Sequence, residues 1–148
     1  MQAEIIISDF QPSDQDEAKA LILSGLVDHW GWLDPALNPD LNDIAETYRQ
    51  AIFLVARLDG RLVGTGALKP RGEGVAEIVR MSVAKDLRRL GLGRKILTEL
   101  VERARVMSLR KIILETTETW GEVIAFYLSF GFRITHHQDG DVYFELLL

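Results

Sequence analysis

The chain has 148 residues, enough to bury the core of one domain and too few for two ordinary ones, so we expect a single domain over residues 1–148. Its hydrophobic fraction of 47% and charged fraction of 26% are ordinary for a globular protein, and no apolar run is long enough to span a membrane. A net charge of −5 disfavours nucleic acid as a partner, and the absence of cysteine excludes disulfides, thiolate metal sites and a cysteine nucleophile. We therefore expect a cytoplasmic protein that binds neither nucleic acid nor a membrane.

The first third of the chain predicts a strand, a helix, a loop and a short helix. Residues 4–10 are rich in isoleucine and lack a preceding basic segment, so they indicate a strand rather than a signal peptide. Ser13 is the predicted N-cap of a helix that ends near His29. Glycine and proline between positions 30 and 40 predict a loop, which leads to a short helix over residues 41–48. We expect this loop to form a wall of a substrate site.

Three strands follow in the middle of the chain. Two of them, over residues 52–58 and 61–68, are predicted on either side of a tight turn. Asp59 and Gly60 in this turn tolerate positive φ, as a type I′ β-hairpin requires. A second turn then leads into a strand over residues 75–83, and a helix is expected after it.

The second half of the chain predicts a helix, a buried strand, a second helix and a final hairpin. The predicted ranges are 92–107 for the first helix, 111–117 for the strand, 119–130 for the second helix, and 132–137 and 142–148 for the hairpin around Asp139 and Gly140. The unbroken apolar run from Ile112 to Leu114 predicts a strand buried on both faces and parallel to the one over residues 75–83. Thr119 and Glu122 fit a capping box. Together the periodicities predict an α/β or α+β fold with three layers and a mixed sheet.

A basic turn that contains glycine separates the strand over residues 75–83 from the helix after it. Residues 85–95 hold five basic side chains and one acid, a local charge of +4 in a chain of −5. Cations oppose the dipole at a helix N-terminus unless an anion binds there, and glycines let an anion approach the backbone. The alternative is a solvated basic turn at the protein surface. The pattern favours a site for the phosphates of a small ligand.

The basic turn resembles the coenzyme-A-binding motif of the GNAT N-acetyltransferase superfamily. That motif has arginine or glutamine, two residues, glycine, one residue, and glycine or alanine, and Arg88, Gly91 and Gly93 match it. Glu77 in the preceding strand and Tyr127 in the later helix match two further landmarks of the family. The resemblance implies a GNAT-like α/β/α fold with about seven strands, four helices and a sheet that is splayed between its fourth and fifth strands.

The same resemblance implies an acetyl-CoA-dependent N-acetyltransferase in which a primary amine attacks the thioester directly in a ternary complex. Glu77, or a water that it orders, would be the base, and Tyr127 would be the acid. The implied cofactor-binding residues lie in the strand, the basic turn and the later helix: Met81, Ser82, Val83, Arg88, Arg89, Leu90, Gly91, Leu92, Gly93, Arg94, Trp120, Phe126 and Tyr127. The family usually has asparagine where Trp120 stands, so the cofactor contact of that asparagine is absent here.

Both implied catalytic residues also have an ordinary structural interpretation. Glu77 could be a strand carboxylate that pairs with Arg80, although strict alternation places it on one face with Met81 and Val83, which favours a functional role. Tyr127 could be a core aromatic in a helix that is already apolar. Both interpretations stay open at this point.

The acceptor implied by the resemblance is a small-molecule or peptide amine. Trp30 and Trp32 in the predicted loop are the candidate substrate-binding residues, and packing alone is their alternative role. His136 and His137 are adjacent in a strand and point to opposite faces, so no metal site is predicted. The resemblance also implies a homodimer, because GNAT proteins often dimerise. Two other functions stay open: a non-catalytic module that binds or senses acyl-CoA, and a transferase of longer acyl groups.

Overall fold

The structure is a computed structural model that describes residues 4–34 and 36–148. Within these residues it contains seven strands and four α-helices. The elements are β1 (Ile5–Asp9), α1 (Gln15–Trp30), α2 (Ile44–Thr47), β2 (Ile52–Leu58), β3 (Arg61–Pro70), β4 (Val75–Val83), α3 (Leu92–Val106), β5 (Lys111–Thr117), α4 (Gly121–Phe130), β6 (Arg133–Gln138) and β7 (Asp141–Leu147). Short 3₁₀ helices lie at Pro12–Asp14, Pro39–Asn42 and Lys85–Leu87. None of the helices in this part of the chain is long and apolar enough to cross a membrane.

All seven strands form one mixed sheet, which has the order β1-β2-β3-β4-β5-β7-β6. The pair β4 and β5 is parallel, and the other neighbouring strands are antiparallel. Helices α3 and α4 pack on one face, where Ile96, Leu100 and Tyr127 belong to one buried cluster. Helix α1 packs on the other face, where Ala18 and Ile22 belong to a second cluster. The predicted mixed sheet in a three-layer α/β/α arrangement is confirmed.

Strands β4 and β5 separate soon after they meet. Their pairing covers three positions, Val75–Glu77 on β4 against Lys111–Ile113 on β5. Beyond Glu77 and Ile113, the backbone groups of β4 that face β5 have no strand partner in the part of the chain that the structure describes. We call the gap between the two strands the cleft, and it opens toward the carboxyl ends of both. The splayed sheet that the family resemblance implies is confirmed.

Two tight turns have the backbone geometry that their sequences predict. Asp59 and Gly60 have φ of 51° and 81°, and Asp139 and Gly140 have φ of 51° and 82°. Both residues of each turn therefore lie in the left-handed region, as a type I′ hairpin requires. These turns set the register of β2 with β3 and of β6 with β7.

Helix α1 begins differently from the prediction. Ser13 is not the N-cap of α1, because it lies inside the short 3₁₀ helix that precedes α1. The carboxylate of Asp14 instead accepts a hydrogen bond from the backbone N–H of Gln11 at 2.8 Å, and Arg57 of β2 donates to the same carboxylate at 2.6 Å. Asp14 is buried, so these two partners replace the water that its carboxylate loses on folding.

Strand β5 is buried on one face and partly open on the other, contrary to the prediction for residues 112–114. Ile112 and Leu114 are buried in the cluster with α3, whereas Ile113 on the opposite face is only partly buried. Helix α1 packs on β3 and β4, and the six residues of β6 are all exposed. The face of the sheet formed by β5, β7 and β6 is therefore accessible on the α1 side.

A β-bulge interrupts β4 at Arg80. The register between β3 and β4 shifts between Thr65 and Ala67, and Arg80 has φ of 56°, a conformation that residues other than glycine adopt rarely. The hydroxyl of Thr65, which is fully buried, donates a hydrogen bond to the carbonyl of Arg80 at 2.8 Å. The hydroxyl of Thr65 in β3 thus stabilises the strained backbone at Arg80.

An ion pair ties the bulge to the loop between α1 and α2. Arg80 donates to Asp40 with two nitrogens, at 2.6 and 2.9 Å, and Tyr48 donates to the same carboxylate at 2.6 Å. Burial acts to raise the pKa of the Asp40 carboxyl, but the hydrogen bonds from Arg80 and Tyr48 together outweigh burial and lower it. Burial, followed by the bond to Asp40, raises the pKa of Tyr48 to about 12. This cluster fixes a segment that the sequence predicts only as a loop.

Asp40→Asn should lower the free energy of unfolding near neutral pH by about 2 kcal/mol, because it leaves the partly buried guanidinium of Arg80 without its carboxylate. Since the pKa of Asp40 is lowered on folding, the ion pair stabilises fully above the ordinary carboxyl pKa and is lost as the pH falls through the folded value. Urea unfolding of wild type and variant should therefore give a difference that is constant well above the ordinary carboxyl pKa and shrinks as the pH falls below it.

The matched control for this measurement is Asp59→Asn. Asp59 is an exposed turn residue with φ of 51°, which asparagine also tolerates, so its stability should stay within about 0.5 kcal/mol of wild type. A difference between wild type and Asp40→Asn that stays constant over the whole pH range would contradict the role of the ion pair.

Candidate active site

The basic turn and the start of α3 lie at the open end of the cleft. Helix α3 begins at Leu92, and Gly91 is its N-cap with φ of 87°. Glycine has no side chain that could bond the first N–H groups of the helix, so these groups are available to an anion. Apart from Gly91 and its two chain neighbours, no described residue lies within 4 Å of the point where a Cβ of Gly91 would stand, so the space beside this residue is open. The backbone is therefore accessible to a bulky ligand here.

Two arginines of the basic turn pair with carboxylates on neighbouring helices. Arg89 contacts Glu122 at the start of α4 at 2.6 Å, and Arg88 contacts Asp28 near the end of α1 at 3.5 Å. The side chains of Arg89 and Glu122 are 81% and 76% exposed, so this pair adds little stability. A ligand with several negative charges can exchange with such partners. Arg89 is thus held beside the cleft without being committed to the fold, whereas Nε of Arg88 also donates to the carbonyl of Val83 at 3.2 Å.

The other predicted cofactor-binding residues surround the same opening. Met81, Ser82 and Val83 are partly buried and occupy the part of β4 that has no strand partner on the cleft side within the described residues. Val83 and Phe126 each lie 3.6 Å from the point where a Cβ of Gly93 would stand. The structure therefore brings the strand, the turn and α4 together around one cleft.

Three further residues of the predicted set have different surroundings. The side chain of Leu92 is buried in the core, so only its backbone N–H can reach a ligand. Leu90 is 71% exposed. The guanidinium of Arg94 lies 5.2 Å from the ring centroid of Phe130, in a cation–π contact.

The bulge at Arg80 corrects the predicted orientation of Glu77. Glu77 and Val79 point to the α1 side of the sheet, whereas Met81 and Val83 pack in the cluster on the α3 side. One extra residue in a strand reverses the alternation of side chains beyond it. Glu77 and Val79 therefore share a face, but the predicted common face with Met81 and Val83 is wrong.

Glu77 lies at the closed end of the cleft, because it is the last β4 residue that pairs with β5. It is 8% exposed, and its carboxylate accepts a hydrogen bond from Nε of Arg71 at 2.5 Å rather than from Arg80. The sequence analysis missed Arg71, which lies in the irregular turn after β3. A buried carboxylate needs a cationic partner. The need of Glu77 for such a partner is the signal by which Arg71 could have been predicted.

A groove of about 330 Å³ begins at Glu77 and runs over the accessible face of β5, β7 and β6. The side chains along the groove include those of Glu77, Ile113, Glu115, His136, Tyr143 and Glu145. The rings of His136 and Tyr143 stack with their centroids 4.3 Å apart. The neighbouring carboxylate of Glu115 raises the pKa of Tyr143. The groove therefore combines an aromatic surface with charged groups next to Glu77.

Tyr127 has its ring in the core between α4 and the sheet. The ring packs edge-on against Phe126 and Phe132, with centroids at 5.1 and 5.6 Å, and the residue is 5% exposed. Its hydroxyl has no hydrogen bond within the described residues. Every fully buried polar side-chain atom in this part of the chain does have a partner, so the hydroxyl oxygen of Tyr127 is not fully buried. Burial raises the pKa of Tyr127, which keeps the phenol protonated at neutral pH.

An aromatic cluster lies where α1 approaches the connection between β5 and α4. His29 stacks on Trp120 with centroids 4.2 Å apart, and its Nε2 contacts the Thr119 hydroxyl at 3.3 Å. Trp30 packs edge-on against His29 and is 49% exposed, and Trp32 is 68% exposed. Both exposed indoles can contact a ligand.

The predicted capping box of Thr119 and Glu122 is wrong, because Trp120 is the N-cap of α4 and no side chain caps the helix.

Comparisons with known proteins agree with this geometry. Residues 12–132 match the model of the acetyltransferase (GNAT) family. The chain is 34% identical over 122 residues to the IAA acetyltransferase of Azospirillum brasilense, a match that covers 81% of this chain and 80% of that protein. It is 32% identical over 102 residues to the probable N-acetyltransferase camello of Xenopus tropicalis. This match covers 66% of this chain and 47% of that protein. The chain thus spans about half the length of the camello protein.

Solved structures share the fold. The PaiA N-acetyltransferase from Thermoplasma acidophilum, determined in complex with coenzyme A, aligns with a TM-score of 0.89 over 98% of this chain and 99% of that one. Its sequence identity of 17% makes this a likeness of fold. The acetyltransferase of the GNAT family from Staphylococcus aureus Mu50 also aligns with a TM-score of 0.89, at 22% identity and over 97% and 99% of the two chains.

Gly91→Glu should weaken the binding of coenzyme A by about a hundredfold or more, because it puts a negative charge where the phosphates would meet the helix N-terminus. Isothermal titration calorimetry measures the affinities. Gly91→Ala is the matched control, since it has the same backbone strain at φ of 87° without the charge, and it should lose far less affinity. Equal affinities for wild type and Gly91→Glu would remove the phosphate site from this turn.

Proposed function

Because the chain belongs to the GNAT acetyltransferase family, we propose that it transfers an acetyl group from acetyl-CoA to a primary amine within a ternary complex. The observation that carries the proposal is the cleft between β4 and β5, with the basic turn and the glycine-capped N-terminus of α3 at its open end. An unpaired strand edge suits an amide-containing pantetheine arm, and free N–H groups beside arginines suit a pyrophosphate.

In this proposal the residues around the cleft bind acetyl-CoA in two ways. The backbone of β4 from Met81 to Val83 pairs with the pantetheine arm, and the N–H groups from Arg89 to Arg94 bind the pyrophosphate. Arg88 and Arg89 exchange their carboxylate partners for phosphate oxygens. Trp120 stands where the family usually has asparagine, and its ring lies against His29, so it supplies an apolar wall rather than an amide donor.

The acetyl transfer then needs one base and one acid. Glu77, directly or through water, takes a proton from the ammonium group of the acceptor. The amine nitrogen attacks the thioester carbonyl carbon and the new C–N bond forms. The nitrogen then releases its second proton to solvent, and the C–S bond breaks as the amide carbonyl forms. Tyr127 gives its phenolic proton to the departing thiolate, and solvent restores it. The burial of Glu77 at the closed end of the cleft and the accessible hydroxyl of Tyr127 support these roles.

A release assay for coenzyme A tests this function directly. Acetyl-CoA and a chemically diverse library of primary amines are incubated with the full chain, and free thiol is measured with a thiol-reactive dye. The chain has no cysteine, so the dye reports coenzyme A alone. We expect thiol release that depends on both the amine and the protein. Binding of acetyl-CoA without release would favour a non-catalytic module, and faster release from longer acyl thioesters would favour a different acyl donor.

Tyr127→Phe should lower kcat by roughly 10- to 100-fold, because it removes the acid while the ring stays packed. A thiolate is a good leaving group, which places the effect at the lower end of the range for general acids. The dissociation constant for acetyl-CoA and the melting temperature should change little. Steady-state kinetics, calorimetry and circular dichroism measure the three quantities.

Tyr48→Phe is the control for this prediction. It removes a phenol that bonds Asp40 in a structural cluster, so it should lower stability and leave kcat nearly unchanged. A normal kcat in Tyr127→Phe would make Tyr127 a core aromatic. A mainly destabilised Tyr127→Phe would show that its hydroxyl does not face the cleft.

A further inference from the structure

The ion pair between Arg71 and Glu77 lies at the point where the groove meets the cleft. Nε of Arg71 and Oε1 of Glu77 are 2.5 Å apart. The two side chains are unequally exposed, 11% for Glu77 and 45% for Arg71, so the carboxylate is buried and the guanidinium faces solvent. Glu77 borders the groove, whereas Arg71 covers the carboxylate from the turn between β3 and β4. A cation that binds Oε1 of Glu77 must therefore compete with Arg71.

The backbone holds Arg71 firmly in this position. Its N–H donates to the carbonyl of Val75 at 3.0 Å, and the N–H of Val75 donates to the carbonyl of Gly72 at 3.3 Å. The carbonyl of Gly74 accepts from the N–H groups of Arg110 and Lys111 at 2.9 and 3.2 Å, which fixes the turn to the start of β5. The main chain at Arg71 is therefore anchored, and its long side chain is free to swing away from Glu77 without moving the turn.

The burial of Glu77 restricts what can displace Arg71. A buried carboxylate that loses its cation pays a large desolvation cost, so the displacing group must itself be a cation, such as the ammonium of an acceptor. The released guanidinium then lies beside the bound ammonium and lacks an anion. A carboxylate placed two bonds from the ammonium nitrogen satisfies it, and a planar guanidinium binds a carboxylate with two hydrogen bonds.

We propose that the acceptor is a free α-amino acid, with its ammonium group on Glu77 and its α-carboxylate on Arg71. This inference rests on the proposed acetyl transfer and specifies the acceptor of the same site. The single ion pair of the free protein becomes two ion pairs with a zwitterion, so no buried charge is left without a partner. The side chain of the amino acid extends along the groove toward Glu115 and the stacked rings of His136 and Tyr143.

The test compares L-amino acids with their α-carboxamides, which keep the amine and lose the negative charge of the carboxylate. Coenzyme A release gives kcat/KM for each pair. We expect the wild type to prefer the amino acid by about 10- to 100-fold, the range of a charge-assisted hydrogen bond, with the difference in KM. In Arg71→Gln this ratio should fall to near one, and in Arg71→Lys it should recover in part.

Two further variants separate recognition from folding. Arg110→Gln removes an exposed arginine at the same end of the sheet but outside the groove, and it should keep the preference of the wild type. Glu77→Gln should weaken both amino acids and carboxamides, since both carry the ammonium group that Glu77 binds. Circular dichroism establishes that each variant is folded before its kinetics are compared. Loss of the preference in Arg110→Gln would overturn the assignment to Arg71.

Binding measurements keep this inference distinct from the catalytic proposal. Calorimetry with the same amino acids and carboxamides is done on the complex of the protein with coenzyme A. A preference for amino acids that depends on Arg71, without any turnover, would support the recognition and overturn the transferase function. Turnover of amines with no preference for the carboxylate, or an equal loss for both members of each pair in Arg71→Gln, would overturn the recognition and leave the transferase function intact.

Discussion

Three residue pairs join β4 to β5, and the separation of the two strands beyond them creates the space in which the functional groups meet. An unpaired strand edge inside a sheet is costly, because its N–H and C=O groups lose water without gaining a partner. Two helices limit this cost. Helix α3 connects β4 to β5 and packs on one face of the sheet, and helix α1 packs on the other face. A ligand that pairs with the edge supplies the missing hydrogen bonds, so the gap combines a structural defect with a binding site.

The packing of α1 explains why distant parts of the chain carry the same site. The end of α1 contacts the basic turn through Asp28 and Arg88, and it contacts the connection after β5 through His29 and Trp120. The loop after α1 is anchored to the bulge of β4 by Asp40. The two arms of the cleft are therefore held by one helix and its following loop. Motion of that helix would therefore shift both arms of the cleft together.

Much of this arrangement follows from local signals in the sequence. The turn at Asp59 and Gly60, the turn at Asp139 and Gly140, and the bounds of β4 and β5 were predictable because residue type and hydrophobic period decide them over a few positions. The helix start at Gly91 was predictable for the same reason. Such features need no knowledge of the rest of the chain.

The errors arose where a distant partner decides the outcome. The carboxylate of Asp14 bonds the N–H of Gln11 and pairs with Arg57, which lies 43 residues away, and Ser13 lies inside the 3₁₀ helix between Gln11 and α1. The positive φ of Arg80 depends on Asp40 and Thr65, and no local pattern marks a bulge at an arginine. This bulge reversed the expected faces of the later β4 residues.

The full exposure of β6 has a consequence for the evolution of such proteins. All six of its residues are exposed, and substitutions at exposed positions usually change stability by less than about 0.5 kcal/mol. His136, which borders the groove, belongs to this strand. The surface beside the groove can therefore diversify at little risk to folding, whereas the start of α3 is built on buried Leu92 and Ile96 and is constrained. A chain with this fold is thus free to change the residues that line the groove while it keeps the residues around the open end of the cleft.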